Sequence, residues 1–315
     1  MTQVITVIGG SGFVGRHLVQ RLAKTGAQIR LGVRNAEAAK RLKPLGNVGQ
    51  IVPMGVDIGR GIGLEAAVAG ADVVINLVGI LAPGGGNRSF EAVQAEGAQR
   101  VAEVAKAAGV ARFIHMSALG ADAASKSRYA QTKAAGEAAV LAVYPSAMIV
   151  RPSIIFGPED GFFNRFATMA RMAPALPLIG GGETKFQPVF VGDVAEAIVS
   201  AVNDPTISGI YELGGPLTYS FKDLLAFTLE TAHLKAVLLP IPFCVASLMG
   251  SVMQFVPGAP ITADQVELLK TDNVVSGRYP GLADLGLTGA TIEAIVPAYL
   301  ARFHPGGRFG NLKGV

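Results

Sequence analysis

The chain has no tryptophan, one cysteine (Cys244) and only four histidines in 315 residues. A single thiol cannot build a disulfide framework or a cysteine-based metal site, and His17, His115, His233 and His304 lack metal-ligand spacing. No metal is expected. Charge is sparse too, at 16% of residues with a net value of +4. No Lys/Arg-rich run with interleaved aromatics appears, so no nucleic-acid partner is expected. The mild positive balance suits an anionic cofactor or an anionic membrane surface. The long uncharged stretch at 236–263 is cut by prolines before it reaches the roughly 20 apolar residues a spanning helix needs. What is abundant is apolar side chains, 50% of the chain, and forty glycines. That is enough for a full core with many turns.

The glycines concentrate first at the N-terminus. Val4-Ile5-Thr6-Val7-Ile8 runs straight into Gly9-Gly10-Ser11-Gly12-Phe13-Val14-Gly15. A helical stripe of Val14, Leu18 and Leu22 follows, with Val19 beside it. The order strand, tight turn, helix N-terminus makes this a dinucleotide fingerprint. Gly9 and Gly10 let the chain turn at once. Gly12 has no Cβ, so backbone can approach a pyrophosphate, and Gly15 lets the helix pack close. Ser11, Phe13 and Val14 lie where free N–H groups and the positive helix end meet phosphate. The expected fold class is α/β, a Rossmann-type doubly wound parallel sheet with a small, mostly helical C-terminal lobe.

The later segments fit that frame. A second strand at 28–33 ends at Arg34-Asn35. An acid here would hold the ribose hydroxyls of NAD, whereas an arginine takes the 2′-phosphate of NADP. Arg34, with Arg16 nearby in such a fold, favours NADP(H), since a guanidinium forks well onto phosphate. A third strand at 50–56 ends at Asp57-Ile58, the adenine position. A fourth, 71–79, is nearly all apolar and ends in Leu77-Val78-Gly79, where backbone can approach the cofactor. A Gly-rich loop at 82–87 precedes a helix over 90–108 that Gly109 stops. A fifth strand, 112–116, ends at Ser117. Tyr129-Ala130-Gln131-Thr132-Lys133 then opens a helix to about 143, with Tyr129 and Lys133 on one face. A Tyr hydroxyl beside a Lys ammonium and a nicotinamide can give or take a proton at a carbonyl that Ser117 holds. Lys133 would also bond the nicotinamide ribose. A sixth strand at 147–150 leads into a loop, with Pro152, Ser153 and Ile154, suited to lie beside the nicotinamide.

Past Gly161 the pattern loosens. A helix is expected at 162–172, a loop at 174–182 and a short strand at 186–191. Asp193 caps a helix over 194–202, a strand follows at 210–213, and Ser220 caps a helix to about 231. The cofactor core is therefore placed at 1–160 with returns at about 186–215, and the small lobe is interleaved over 161–315. Within the uncharged stretch, Val245, Leu248, Met249, Val252 and Val256 make one apolar helical stripe. Ser247, Gly250, Ser251 and Gln254 make the other face. This segment reads as an interfacial helix on a bilayer, a contact for a hydrophobic partner, or a buried helix of the lobe. The tail from Arg302, with Arg308 and Lys313, reads as mobile or pinned by a partner.

Several longer segments carry a family resemblance. They are 73–79, Ser127-Arg128-Tyr129 with Lys133 and Gly136-Glu137, 150–157 with Glu159-Asp160, and 186–191 with Asp193. Two more, 261–266 and 280–286, lie outside any generic cofactor fold. From 4 to about 303 the chain resembles the extended or atypical branch of the short-chain dehydrogenase/reductase superfamily. Within that branch it resembles the family of NADPH-binding accessory subunits of respiratory complex I. The resemblance implies tightly held NADPH, other complex I subunits as partners, and a place in the peripheral arm near the quinone site. It implies no turnover of its own, and it turns the apolar segment at about 241–256 toward a membrane surface or lipid. One departure bears on catalysis. Gln94 stands where the branch usually carries an Asn that supports a proton-relay water. The fingerprint strand begins at residue 4, so no signal or transit peptide is expected, and the chain reads as a bacterial protein peripheral to the cytoplasmic face of the inner membrane. The other class of reading is a free NADP-dependent reductase or epimerase using Ser117, Tyr129 and Lys133. A third is a regulator that senses NADPH.

Overall fold

In the computed structural model, residues 2–253 and 261–304 are described. Contacts divide the chain into two units. The first takes the chain up to Pro152 together with Gly192–Leu213 and Gly277–Leu287; the second takes Ser153–Val191, Gly214–Ser276 and the chain from Thr288. The first boundary thus falls after Pro152 rather than near 160. The return begins at Gly192 rather than 186, and a second return at 277–287 carries no strand or helix pattern that periodicity could detect.

The first unit is a sheet of seven parallel strands. They are β1 (Val4–Ile8), β2 (Gln28–Val33), β3 (Ile51–Gly55), β4 (Val73–Asn76), β5 (Arg112–Met116), β6 (Met148–Pro152) and β11 (Gly209–Leu213), in the order β11-β6-β5-β4-β1-β2-β3. Sequence order reverses between β1 and β4, and in such sheets a ligand crevice opens at the carboxyl ends beside that switch. The flanking helices are α1 (Phe13–Lys24), α2 (Ala36–Ala39), α3 (Leu64–Val68), α4 (Glu96–Ala107), α5 (Arg128–Val143) and α7 (Val191–Asn203). All of β4 and β5 is buried, as expected for strands covered on both faces. Phe113 on β5 stacks on Tyr144 at 5.0 Å between centroids, and the Tyr144 hydroxyl donates to Val110 O. Arg112 is also buried, and its guanidinium donates to the carbonyls of Ala201 and Pro205 at the end of α7. It thereby satisfies acceptors that a helix end leaves free.

Three expectations in this unit need correction. Strand β4 stops at Asn76, not at 79, because the Asn76 side chain accepts the Val78 N–H and turns the backbone out of the ladder. The helix expected over 90–108 starts with one π turn, Glu91–Ala95, before α4. Gly136 of α5 lies against that turn, where a Cβ would be 2.2 Å from the Gln94 carbonyl oxygen. Asp193 does not cap α7, which begins at Val191; it stands in the helix's first turn.

Among the described residues the second unit has three two-stranded pairs: β7 (Ile155–Phe156) with β10 (Val189–Phe190), β9 (Lys185–Phe186) with β12 (Tyr219–Ser220), and β8 (Ala175–Ile179) with β13 (Val237–Ile241). Its helices are α6 (Phe163–Met172), α8 (Phe221–Thr231), α9 (Phe243–Met253), α10 (Ala263–Leu268) and α11 (Ile292–Leu300). An aromatic cluster of Phe156, Phe163, Phe186 and Phe221 centres the core. Ser220 caps α8 as expected, in a reciprocal box with Asp223. Asp160 accepts the N–H groups of Phe162 and Asn164 at the start of α6 and a 2.5 Å bond from the Tyr299 hydroxyl of α11. Burial raises its carboxyl above the usual range, and these hydrogen bonds oppose the rise.

Two more expectations fail here. The loop at 174–182 is mostly β8, whose pairing with β13 is hidden in sequence by Pro177 and Pro240. The strand at 186–191 is split by Pro188, which has no N–H to give. In α9 the packed side is the small one. Ala246 and Gly250 are buried, and a Cβ on Gly250 would lie 2.7 Å from Ala263 N. The apolar stripe faces outward, with Leu248 69% and Val252 65% exposed and Val245 and Met249 also exposed. The buried-helix alternative is therefore not what forms. Gln254, Val256 and the tail with Arg308 and Lys313 lie outside the described residues.

The backbone approach at the start of α1 gives a prediction. A Cβ on Gly15 would sit 2.5 Å from the Gly10 carbonyl oxygen, and backbone on both sides cannot yield cheaply. Gly15→Val should lower stability by about 1–3 kcal/mol; an unchanged denaturant midpoint would show that α1 does not press on the turn.

Candidate functional site

The parallel sheet brings the expected site residues of the first unit to one edge, because all its strands present their carboxyl ends together. After β1, Gly9 takes a left-handed φ of 83°, and Gly12 N–H closes the turn onto Gly9 O at 3.0 Å. Gly12 is the residue before α1. No side chain caps this helix and no acid stands in its first turn, so its free N–H groups and dipole remain available to an anion. Gly12 is exposed, and the nearest atom to a Cβ there is Gly9 O at 3.3 Å. Gly15 is thus required by the fold, while Gly12 leaves space above the helix end. Ser11, Phe13 and Val14 are half-buried around that end. Arg16 turns its Nε back onto Gly12 O.

Arg34 follows β2 and is exposed, while Asn35 beside it caps α2 by accepting the Ala38 N–H. No acid stands at the end of β2. Past β3, Asp57 accepts the N–H groups of Gly59 and Arg60, and the Ile58 carbonyl accepts from Arg100. Asp57 is half-buried and Ile58 buried. Beyond β4, Leu77 N–H donates to Ile8 O, and Val78 packs beside Gly9, where a Cβ would be 3.1 Å from Val78 Cγ2. A Cβ on Gly79 would be 3.0 Å from Lys133 Nζ. The turn after β1 and the loop after β4 therefore face each other, and Lys133 reaches the same place from α5.

Ser127 caps α5 by accepting the Ala130 N–H, which sets Tyr129 in the first turn and Lys133 one turn on. Lys133 is buried. Its Nζ donates to Met116 O at 3.1 Å and stands 5.9 Å from the centre of the Tyr129 ring. Burial brings the ammonium down to about 8, with Glu137 opposing the change. Tyr129 is half-buried and meets Phe90 edge-on at 5.9 Å. Ser117 is buried, and its Oγ makes no hydrogen bond to protein. A buried hydroxyl without a partner, next to a lysine with donors to spare, fits a site built for a polar ligand. Sequence placed Gln94 beside the site as a departure from the usual Asn, and it missed His115. His115 is buried against Asn76 at 3.3 Å; burial, helped by the Lys133 charge, lowers it to about 3, so the ring is neutral. Gln94 accepts the Ile80 N–H and donates to Thr132 Oγ1. Its position is fixed by the π turn, which periodicity does not reveal.

Pro152 is the last residue of β6 rather than part of a loop, and its carbonyl accepts the Leu119 N–H. Ser153 and Ile154 open the second unit, where Ser153 Oγ donates to Asn273 and accepts the Gln187 N–H.

A glycine turn at a sheet switch point, with Lys133 reaching the loop that faces it, defines a Rossmann-type protein with a short-chain dehydrogenase-like fold. The chain belongs to the NAD dependent epimerase/dehydratase family, which matches residues 5–214. Among curated proteins it is 38% identical to "NADH dehydrogenase (ubiquinone) 1 alpha subcomplex subunit 9, mitochondrial" of Arabidopsis thaliana, over 98% of this chain and 80% of that protein. It is 36% identical to "Ceramide reductase" of Caulobacter vibrioides over 67% of this chain and 64% of the relative. Among solved structures, UDP-glucose 4-epimerase of Thermus thermophilus in complex with NAD superposes with a TM-score of 0.63 at 22% identity, over 76% of this chain and 86% of that one. That likeness concerns the fold alone.

The contrast between Gly12 and Gly15 is testable. Gly12→Val should leave the unfolding midpoint near wild type yet weaken NADPH binding more than about tenfold, or by at least about 1.4 kcal/mol. Unchanged affinity by fluorescence titration would remove the pyrophosphate from this turn.

Proposed function

We propose that the chain holds NADP(H) on its first unit and serves as an accessory subunit of a bacterial respiratory complex I, NADH:ubiquinone oxidoreductase. It would help build the peripheral arm near the quinone site and the membrane surface. The observation that carries this reading is the reach of the similarity. The family match ends at residue 214, whereas the Arabidopsis protein aligns over 98% of the chain. That alignment takes in the apolar segment and the 277–287 return, neither of which a nucleotide fold requires.

The residues fit the cofactor. The N–H groups at 12–14 would receive the pyrophosphate, Arg34 the 2′-phosphate, and Asp57 with Ile58 would flank the adenine. Lys133 and Tyr129 would hold the nicotinamide ribose, with the Ser117 hydroxyl turned to the same end. Arg34 beside a β2 terminus without an acid supports NADP over NAD. When bound, the nicotinamide supplies a hydride. In this reading it is retained, and the nucleotide stabilises the fold by mass action, about 2.7 kcal/mol at a concentration 100 times Kd.

We assign the segment at about 241–256 to the membrane surface. Its support is the outward apolar stripe on α9, continued by exposed Val237 and Leu239 on β13. No helix among the described residues is long and apolar enough to cross a membrane, and the attachment we propose is peripheral, on the cytoplasmic face.

A second reading is a free NADP-dependent reductase or epimerase. It is favoured by the intact Ser117, Tyr129 and Lys133 set and by the relative named as a reductase.

Three experiments test these readings. Extraction of native membranes in mild detergent, through a C-terminal tag, should recover NADH:quinone oxidoreductase activity at fixed stoichiometry with this chain. Recovery as a soluble, unpartnered protein would contradict the subunit reading. Arg34→Ala should weaken NADPH about tenfold more than NADH, as expected for loss of a charge-assisted phosphate contact; equal losses would mean Arg34 does not read the 2′-phosphate. Tyr129→Phe should leave assembly intact, and a carbonyl-reducing activity lost in that variant would favour the enzyme.

A further inference from the structure

Lys133 is buried at 3% exposure, and so is the acid one helical turn beyond it, Glu137 at 4%. The i, i+4 spacing places them on one face of α5. Glu137 does not stand alone. Arg151 of β6 grips both its oxygens, with Nε at 2.8 Å from Oε1 and Nη2 at 2.5 Å from Oε2. On its other side Arg151 approaches Glu212 of β11 at 3.9 Å, and Glu212 is 6% exposed. The ring of Tyr279 covers the Arg151 guanidinium at 5.3 Å. Tyr279 belongs to the 277–287 return, which is tied down where the Glu212 N–H donates to Pro280 O. Four buried or part-buried charges, Lys133, Glu137, Arg151 and Glu212, therefore sum to zero inside one unit. A bidentate pair with a second acid behind it is a costly arrangement for stability alone, because well-packed apolar residues serve as well.

We infer that Glu137 is the positioning residue for Lys133, and that Arg151, Glu212 and Tyr279 hold Glu137 behind it. The inference rests on the reading of Lys133 as a nucleotide ligand, which gives the lysine its task, but the arrangement exists without nucleotide. Glu137 supplies the counter-charge that keeps a dehydrated ammonium protonated, so that its donors serve Met116 O and the space beside Gly79. The other groups near Lys133 cannot do this. His115 of β5 is neutral, and Tyr129 of α5 presents its ring. Glu91 of the π turn is paired with Arg128 at the exposed start of α5. Glu212 is separated from Lys133 by Arg151 and Glu137. The 277–287 return lies outside the family match, so this chain extends the support of Lys133 into a segment that the shared nucleotide fold does not include.

The sign of the effect follows. The Lys133 charge is lost as pH rises through about 8. Removing the Glu137 charge takes away the negative neighbour that opposes dehydration, so the loss moves to lower pH.

The test is an NMR titration of lysine side chains in the full, nucleotide-free chain, with the Lys133 signal assigned by its disappearance in Lys133→Met. Wild type should titrate well below ordinary lysines. Glu137→Gln should move the midpoint down by about one pH unit, a tenfold change in the protonation equilibrium. Glu137→Asp should lie near wild type, and Glu212→Gln should shift in the same direction by less. NADPH affinity should fall in Glu137→Gln at pH 8 and recover at pH 6. Equal midpoints in wild type and Glu137→Gln, or an ordinary lysine midpoint in wild type, overturn the inference. If Glu137→Gln does not fold, the Glu137→Asp and Glu212→Gln midpoints decide it. A shifted midpoint in a chain that binds no NADPH keeps the positioning role and removes the nucleotide reading instead.

Discussion

The first unit depends on how closely α1 can approach the turn that feeds it. Gly15 lies against the backbone of Gly10, and Gly10 lies against Leu31 of β2, where a Cβ would be 2.8 Å from the leucine methyl. This contact pins the helix end at the carboxyl edge of β1. Its free N–H groups then point where the sheet order reverses, and the loops after β4 and β5 close on the same place. A larger residue at Gly15 would lift the helix and misdirect the anion site.

The second constraint is burial of charge. Lys133 is buried, and the dehydration that depresses its ammonium is met by the Glu137–Arg151–Glu212 array. The same burial silences His115. Two groups that carry or gain charge in water are thus sorted, one kept charged at neutral pH and one kept neutral. In the second unit the logic is inverted at α9. The small face is packed and the apolar face is left outward, which is the opposite of what a helix on a self-contained core presents. That outward stripe carries no charge.

Much of the fold was legible where its signals are local. The strand 28–33, the fingerprint turn, the Ser220 cap and the Tyr129–Lys133 spacing each lie within a few residues, and β2 and the Ser220 cap form as read. Less legible were features decided by distant contacts. The π turn at Glu91–Ala95 forms against Gly136, 41 residues beyond Ala95 in the chain. The β8–β13 pair contains prolines that erase its alternation, and Asn76 ends β4 with a side-chain bond that hydropathy cannot foresee. Gln94, Arg151 and Glu212 gain their roles only when α5, β6 and β11 come together. The outward direction of the α9 stripe likewise depended on which face α10 would cover.

The central claim is that the glycine turn holds a dinucleotide carrying a 2′-phosphate. The most direct measurement is to purify the chain from native membranes without added nucleotide, denature it, and identify the nucleotide released by mass spectrometry. NADP(H) should be released at close to one molecule per chain. Release of NAD(H) in its place, or of no nucleotide, would contradict it.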